Sequence, residues 1–364
     1  MTERFVALDR LRALAVVSMV QGHTFTALMR PDALPSSVMQ WHALVHGLTA
    51  PAFLFGAGLA FGIASYPRYA SHHTLGASFW KRMQRYTLLI VIGYALQLPG
   101  ASLLAAFKLR GDALAPVLRV GPLHLIAACL GVCQLMALAI RSPRLHATLC
   151  CAIGLAISIA SPYVYSAELP VGPFVRPWLD ASTGSLFPLF PWASFSFFGV
   201  AVGGALALRR ELPRALVWIA PGFVLAATAY VLFLSGVRWS DPKWFWHASP
   251  LNTAFRVGLV LSLMGLLHLL AAREDGWTAM LARHSLVAYV VHLLLLYGTP
   301  FTPSLNYVYG LKLDAMQVTL VFAGVMGATM LAVWLWASGL KERGLSVPWV
   351  RAGLTVLGLF ILTR

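Results

Sequence analysis

The sequence predicts an all-α, polytopic integral membrane bundle of about 10–11 transmembrane helices. Hydrophobic residues make up 59% of the chain and charged residues only 11%, whereas an ordinary soluble domain carries roughly 25% charged residues. Mean hydropathy is +0.76. Apolar runs long enough to cross a bilayer recur along the whole chain. Each run implies a helix, because in lipid the backbone groups of a segment must be satisfied within that segment.

The runs fall at about 13–29, 48–65, 86–107, 120–140, 147–166, 186–208, 215–235, 250–271, 284–300 and 315–339, separated by charged or Pro/Gly-rich stretches. An eleventh, 345–362, is interrupted by Pro348 and Arg351. The first has no small-residue cleavage site and is followed at once by Arg30 and Pro31, so it reads as a span rather than a cleavable signal. No internal repeat or low-complexity linker is evident, and residues 1–364 read as a single transmembrane domain.

The net charge of +15 does not indicate nucleic acid, because the basic residues sit in short loops between apolar runs rather than on one folded face. Topology and contact with anionic membrane lipids account for them. Lys and Arg number sixteen in the alternate loops that include the N-terminus and nine in the other set. The N-terminus is therefore expected in the cytoplasm. Cys129, Cys133, Cys150 and Cys151 all lie within apolar runs and read as buried thiols, with no metal set around them.

The stretch "LDRLRALAVVSMVQGHTF" places Arg12 and His23 on one span, eleven residues apart. At 1.5 Å per residue they are separated by roughly 16 Å, about half the hydrocarbon thickness. An ionisable ring at that depth must face the bundle interior or a watery cavity, and it marks a functional site or a histidine bonded to a neighbouring helix. The following segment carries His42 and His46, four apart and on one face if helical. Imidazole suits general-base chemistry near neutral pH. Zinc is the rival reading, but Asp32 is the sole nearby carboxylate, and no metal is expected. Gly56, Gly58 and Gly62 suit close packing of the second span.

Arg-(ten residues)-His in "LDRLRALAVVSMVQGH" resembles the first-span signature of the transmembrane acyltransferases of acyltransferase-3 type. "APAFLFGAG", "LFPLFPWASFSFFGVAVG", "SPLNTAFRVGLVLSLMGLL" and "LARHSLVAYVVHLLLLYG" resemble, in that order, segments of the heparan-α-glucosaminide N-acetyltransferase-like family. The resemblance is strongest over residues 5–300. It implies transfer of an acyl group, acetyl in the first instance, from cytoplasmic acyl-CoA to a sugar hydroxyl or amine at the outer face. It makes His23, His42 and His46 the catalytic candidates. In the lysosomal branch of that family an asparagine stands at the position of His23 and the histidine lies in the following loop. Ala13 stands where glycine usually follows the arginine.

Coenzyme A is long enough for this frame: its phosphates would be held by charge-assisted bonds to Arg10, Arg12, Arg82 and Arg85, and its thioester carried up to His23. Lys81 reads more simply as topology signal. Trp192, behind the prolines of "FPLFPW", is expected to floor the acceptor site or to sit in an aromatic belt. Trp239, Trp244 and Trp246 carry the same two readings, and His247 is a weak extra candidate. His292, in "SLVAYVVH", is expected near the acceptor site in a hydrogen-bonded role. His72, His73, His146 and His284 read as solvated loop residues. Expected partners are acetyl-CoA or another acyl-CoA, an extracytoplasmic sugar or lipid-linked glycan, and membrane lipids, with a homodimer compatible and a bacterial inner membrane the expected location. The alternative is a transporter or flippase for a lipid-linked substrate, although the corresponding broken repeats are not visible.

Overall fold

The computed structural model describes residues 5–97, 115–167, 169–209, 216–237, 245–270, 276–298 and 303–342. The eleventh run, Trp239 and Trp244 lie outside them. The principal helices are α1 (Val6–Leu28), α2 (Ser36–His46), α3 (Thr49–Ser65) and α4 (Ala77–Ala95). They continue with α5 (Pro122–Ala139), α6 (Pro143–Ser166), α7 (Leu189–Ala207) and α8 (Leu216–Leu234). The last are α9 (Pro250–Leu269), α10 (Gly276–Arg283), α11 (Ser285–Tyr297) and α12 (Ala315–Glu342). Among the described residues there is no β-strand; an isolated parallel bridge joins Met29 and Leu313.

Among the described residues seven stretches are long and apolar enough to cross a membrane: 36–72, which includes α3, and those of α5, α6, α7, α8, α9 and α12. An eighth arises if α10 and α11, bent by 76° at their junction, count as one broken span. The first expected span is a single helix, α1, but Asp9, Arg10 and Arg12 load its opening turns with charge. The third expected span, 86–107, overlaps the end of α4 and then passes into residues outside the described set.

The described chain groups into two compact units. One comprises residues 1–49, 98–117 and 273–364. In it α1 packs on α10, α11 and α12, burying Leu8, Leu11, Val16, Val20 and Leu28. The helix stops where Met29 turns extended, with ψ 131°; Arg30 precedes Pro31, whose ring disfavours a helical residue before it. The freed backbone pairs at once, Leu313 N–H donating to Leu28 O at 3.0 Å and Arg30 N–H to Leu313 O at 2.9 Å. α2 has no buried residue, and Trp41 on it is 68% exposed.

The second unit comprises residues 50–97 and 118–272. α3 and α7 approach backbone to backbone: a Cβ at Gly58 would meet the Ser196 carbonyl and one at Gly199 the Phe55 carbonyl. Small residues permit such close approach between helices in lipid. α7 begins irregularly, with Pro188 before its first residue and Phe190 at φ −96°, ψ 123°, extended backbone that the following Pro191 favours.

Candidate active site

The first unit brings together the titratable groups of α1, α2 and α11. Gln21, Gly22 and His23 are consecutive on α1, and each receives one histidine ring. The Gln21 amide nitrogen donates to His42 Nε2 at 2.8 Å. His46 packs over Gly22, where any Cβ would run into its ring. His23 Nδ1 lies 2.9 Å from His292 Nε2, with the two rings stacked at a centroid distance of 5.1 Å. His42 in turn stacks on Phe25 at 5.5 Å and on His46 at 5.9 Å.

Proton positions in the His23–His292 pair follow from one further contact. His292 Nδ1 is 2.7 Å from the Ala288 carbonyl, four residues earlier on α11. A carbonyl only accepts, so the proton of neutral His292 sits on Nδ1 and its Nε2 carries a lone pair. The 2.9 Å contact then requires His23 to donate from Nδ1. His23 Nε2 is left with its lone pair, which no hydrogen-bond donor among the described residues takes up. A helix carbonyl therefore sets the tautomer of one histidine, and that histidine sets the tautomer of the next. The rings of Tyr297 and Tyr289 close the pair edge-on, at 6.5 Å from His23 and 5.8 Å from His292.

Local structure explains why α11 reaches both Arg12 and His23 on α1. The 76° bend at His284 starts a new helix at Ser285. Arg12 Nη2 donates to Ser285 Oγ at 3.1 Å, and His292 follows two turns later. α1 and α11 thus run in the same direction past one another. Asp9 interacts electrostatically with Arg12. On α1 between Arg12 and His23, Ala15, Val16, Met19 and Val20 are buried, whereas Leu14, Val17, Ser18 and Gln21 keep some exposure. Arg10 is half-buried.

In the second unit, Arg82 is half-buried, and its Nε and Nη2 are buried without a hydrogen-bond partner among the described residues. Arg85 and Lys81 are exposed. Trp192 packs on Phe187 at 4.9 Å and Phe195 at 6.1 Å, and the Arg256 guanidinium lies over its ring at 5.9 Å. His72 and His146, expected in solvent, are buried instead. His72 pairs with Gln134 Oε1 at 2.8 Å. His146 donates from Nε2 to the Cys133 carbonyl at 2.9 Å and accepts the Tyr66 hydroxyl at Nδ1 at 2.6 Å. Cys133 and Cys150 have their sulfurs 3.9 Å apart. Among the described residues no group of three or more His, Cys, Asp or Glu is arranged to hold a metal ion.

Sequence reasoning missed Ser285, Gln21 and Gln134. Ser285 opens the "SLVAYVVH" segment already singled out for His292, so its polar side chain at a helix start was the available signal. Gln21 and Gln134 stand out only as amides inside apolar runs.

An all-helical chain with this many apolar helices of span length is an integral membrane protein. Residues 4–232 match the family model of the heparan-alpha-glucosaminide N-acetyltransferase catalytic region, and the chain belongs to that family of membrane acetyltransferases. The match includes His23, His42, His46 and Trp192, together with Arg10, Arg12, Arg82 and Arg85; Ser285, His292 and Arg256 lie beyond it. No curated protein matches the chain.

Proposed function

We propose that the protein moves an acetyl group from cytoplasmic acetyl-CoA to a hydroxyl or amine of a glycan or glycolipid on the far side of a bacterial inner membrane, with its N-terminus in the cytoplasm. The observation that carries this reading is the Ala288–His292–His23 chain of contacts, which leaves the lone pair of His23 on Nε2. His23 Nε2 takes the acceptor proton as the acceptor oxygen or nitrogen attacks the thioester carbonyl. The tetrahedral intermediate collapses with cleavage of the carbon–sulfur bond, and the proton on Nε2 passes to the departing coenzyme A thiolate. His292 holds the ring and shares the positive charge that forms on it. Direct transfer requires no acyl-enzyme step.

His42 and His46 supply the second pair of rings beside the base, with His42 held by Gln21. Arg10, Arg12, Arg82 and Arg85 are assigned to the phosphates of the donor, Arg12 with Ser285 as its support, and Trp192 to the sugar of the acceptor. Guanidinium suits phosphate because its fork of donors matches the oxygens.

The test is transfer of acetyl label by purified, membrane-reconstituted protein, with acetyl-CoA on one face and amino sugars or glycosides on the other. Label is expected on the acceptor with wild-type protein and not with His23→Ala. Wild-type turnover by His23→Ala overturns the assignment.

A further inference from the structure

We infer that Trp192, Asn252 and Arg256 form a subsite for a sugar that carries an anionic group, a phosphate or carboxylate. The inference deepens the acceptor reading above, on which it rests for the sugar.

α9 begins at Pro250, capped by Ser249, whose hydroxyl accepts Leu251 N–H at 3.2 Å. Arg256 is the seventh residue of that helix, roughly 9 Å in from its start at 1.5 Å per residue. A cation within a span is retained where it faces the bundle interior and finds a partner, and it marks a functional site. None of the described carboxylates pairs with Arg256. Its neighbour is the face of Trp192, 5.9 Å from the guanidinium carbon. An aromatic face steadies a cation without neutralising it and does not occupy the guanidinium N–H groups, which stay available to a ligand.

Asn252 lies one helical turn before Arg256, on the same face. It is buried, and its Nδ2 donates to the Trp246 carbonyl at 3.0 Å, which fixes the amide. Its Oδ1 is then an acceptor, buried and without a partner among the described residues. The three groups offer complementary chemistry: a flat indole for the apolar face of a pyranose, a fixed acceptor for a hydroxyl or amine hydrogen, and a guanidinium fork for an oxyanion. A neutral sugar would use the first two and leave Arg256 unneutralised. Phosphatidyl headgroups present the same oxyanion, so the test separates a lipid source from a sugar source.

Full-length protein is placed in nanodiscs of phosphatidylcholine alone or with added phosphatidylglycerol, and binding of glucosamine and glucosamine 6-phosphate is measured without acetyl-CoA. In phosphatidylcholine the phosphorylated sugar is expected to bind at least tenfold more tightly. Arg256→Gln should erase that difference and Arg256→Lys should keep part of it. Asn252→Leu should weaken both sugars by a similar factor. Unchanged preference in phosphatidylglycerol places the anion on the sugar; competition by phosphatidylglycerol that Arg256→Gln relieves places it on a lipid headgroup, and either supports the oxyanion site. Equal affinity for both sugars, or none, together with no effect of phosphatidylglycerol that depends on Arg256, overturns it. Because binding is read without turnover, an Arg256-dependent preference in a protein that transfers no acetyl group would sink the catalytic reading and leave this one standing.

Discussion

His23 and His292, 269 residues apart in sequence, share a hydrogen bond of 2.9 Å between Nδ1 and Nε2. The bond ties the first long helix to α11, and its polarity is set by the Ala288 carbonyl behind His292. If the bond orients a general base, removing His292 costs turnover rather than binding. His292→Ala is expected to lower kcat on the order of a hundredfold, within the 10²–10⁴ range of positioned acid–base catalysis, with KM for acetyl-CoA nearly unchanged. His292→Gln, whose side-chain carbonyl still accepts from His23 Nδ1, should recover much of the loss. A steady-state series that showed KM rising while kcat held would assign His292 to binding instead.

Arg12 and Ser285 are the second tie between the same two helices. Arg12→Gln removes a guanidinium and is expected to raise KM for acetyl-CoA about tenfold, with Arg12→Lys between it and wild type. Ser285→Ala removes one hydrogen bond, worth about 0.5–1.5 kcal/mol, and should raise KM by about threefold. Donor affinity measured by calorimetry on the purified variants checks both. An Arg12→Gln protein with wild-type affinity would remove Arg12 from the donor site.

The helical architecture was legible in the sequence because hydropathy reports burial in lipid directly. The Arg12–His23 spacing and the His42–His46 pair were legible because each lies within one helix, where 3.6-residue periodicity fixes relative placement. Which ring meets His23 was not, since a helix pattern gives the face of a residue and not the helix opposite. The bend at His284 was hidden for a related reason: "LARHSLVAYVV" has neither proline nor glycine at the junction to announce it. His72 and His146 misled because Arg68, Arg141 and Arg144 gave their surroundings the character of a loop. Their burial depends on Tyr66 and Gln134, which are distant in sequence and supply the hydrogen bonds that a buried imidazole requires.

The α3–α7 crossing makes a prediction about folding alone. Gly58→Leu drives a side chain into the Ser196 carbonyl, a backbone atom that cannot turn aside. No monodisperse protein is expected from detergent extraction of this variant. Gly324→Ala on α12 is the control, since a Cβ there meets nothing within 4 Å. Replacing glycine by alanine within a helix favours the helix by about 1 kcal/mol, so its melting temperature should hold or rise. Size-exclusion profiles and thermal scans of the two variants decide the point.

Gly22 offers a way to ask what His46 does. Even the single methyl of Gly22→Ala would overlap the His46 ring, and the ring sits on the residue beside His23. The variant should therefore push His46 off α1, disturb its stack with His42, and lower kcat by roughly tenfold or more through misplacement near the reacting groups. Truncating the ring relieves the overlap. If His46 serves only as packing, the double variant Gly22→Ala/His46→Ala should recover the turnover of His46→Ala alone, and both should stand close to wild type. If His46 takes part in the chemistry, His46→Ala is itself impaired and the methyl at position 22 adds nothing further. Measuring kcat for the two single variants and the double variant closes the cycle, and the coupling between the positions is read directly from the failure of their effects to add.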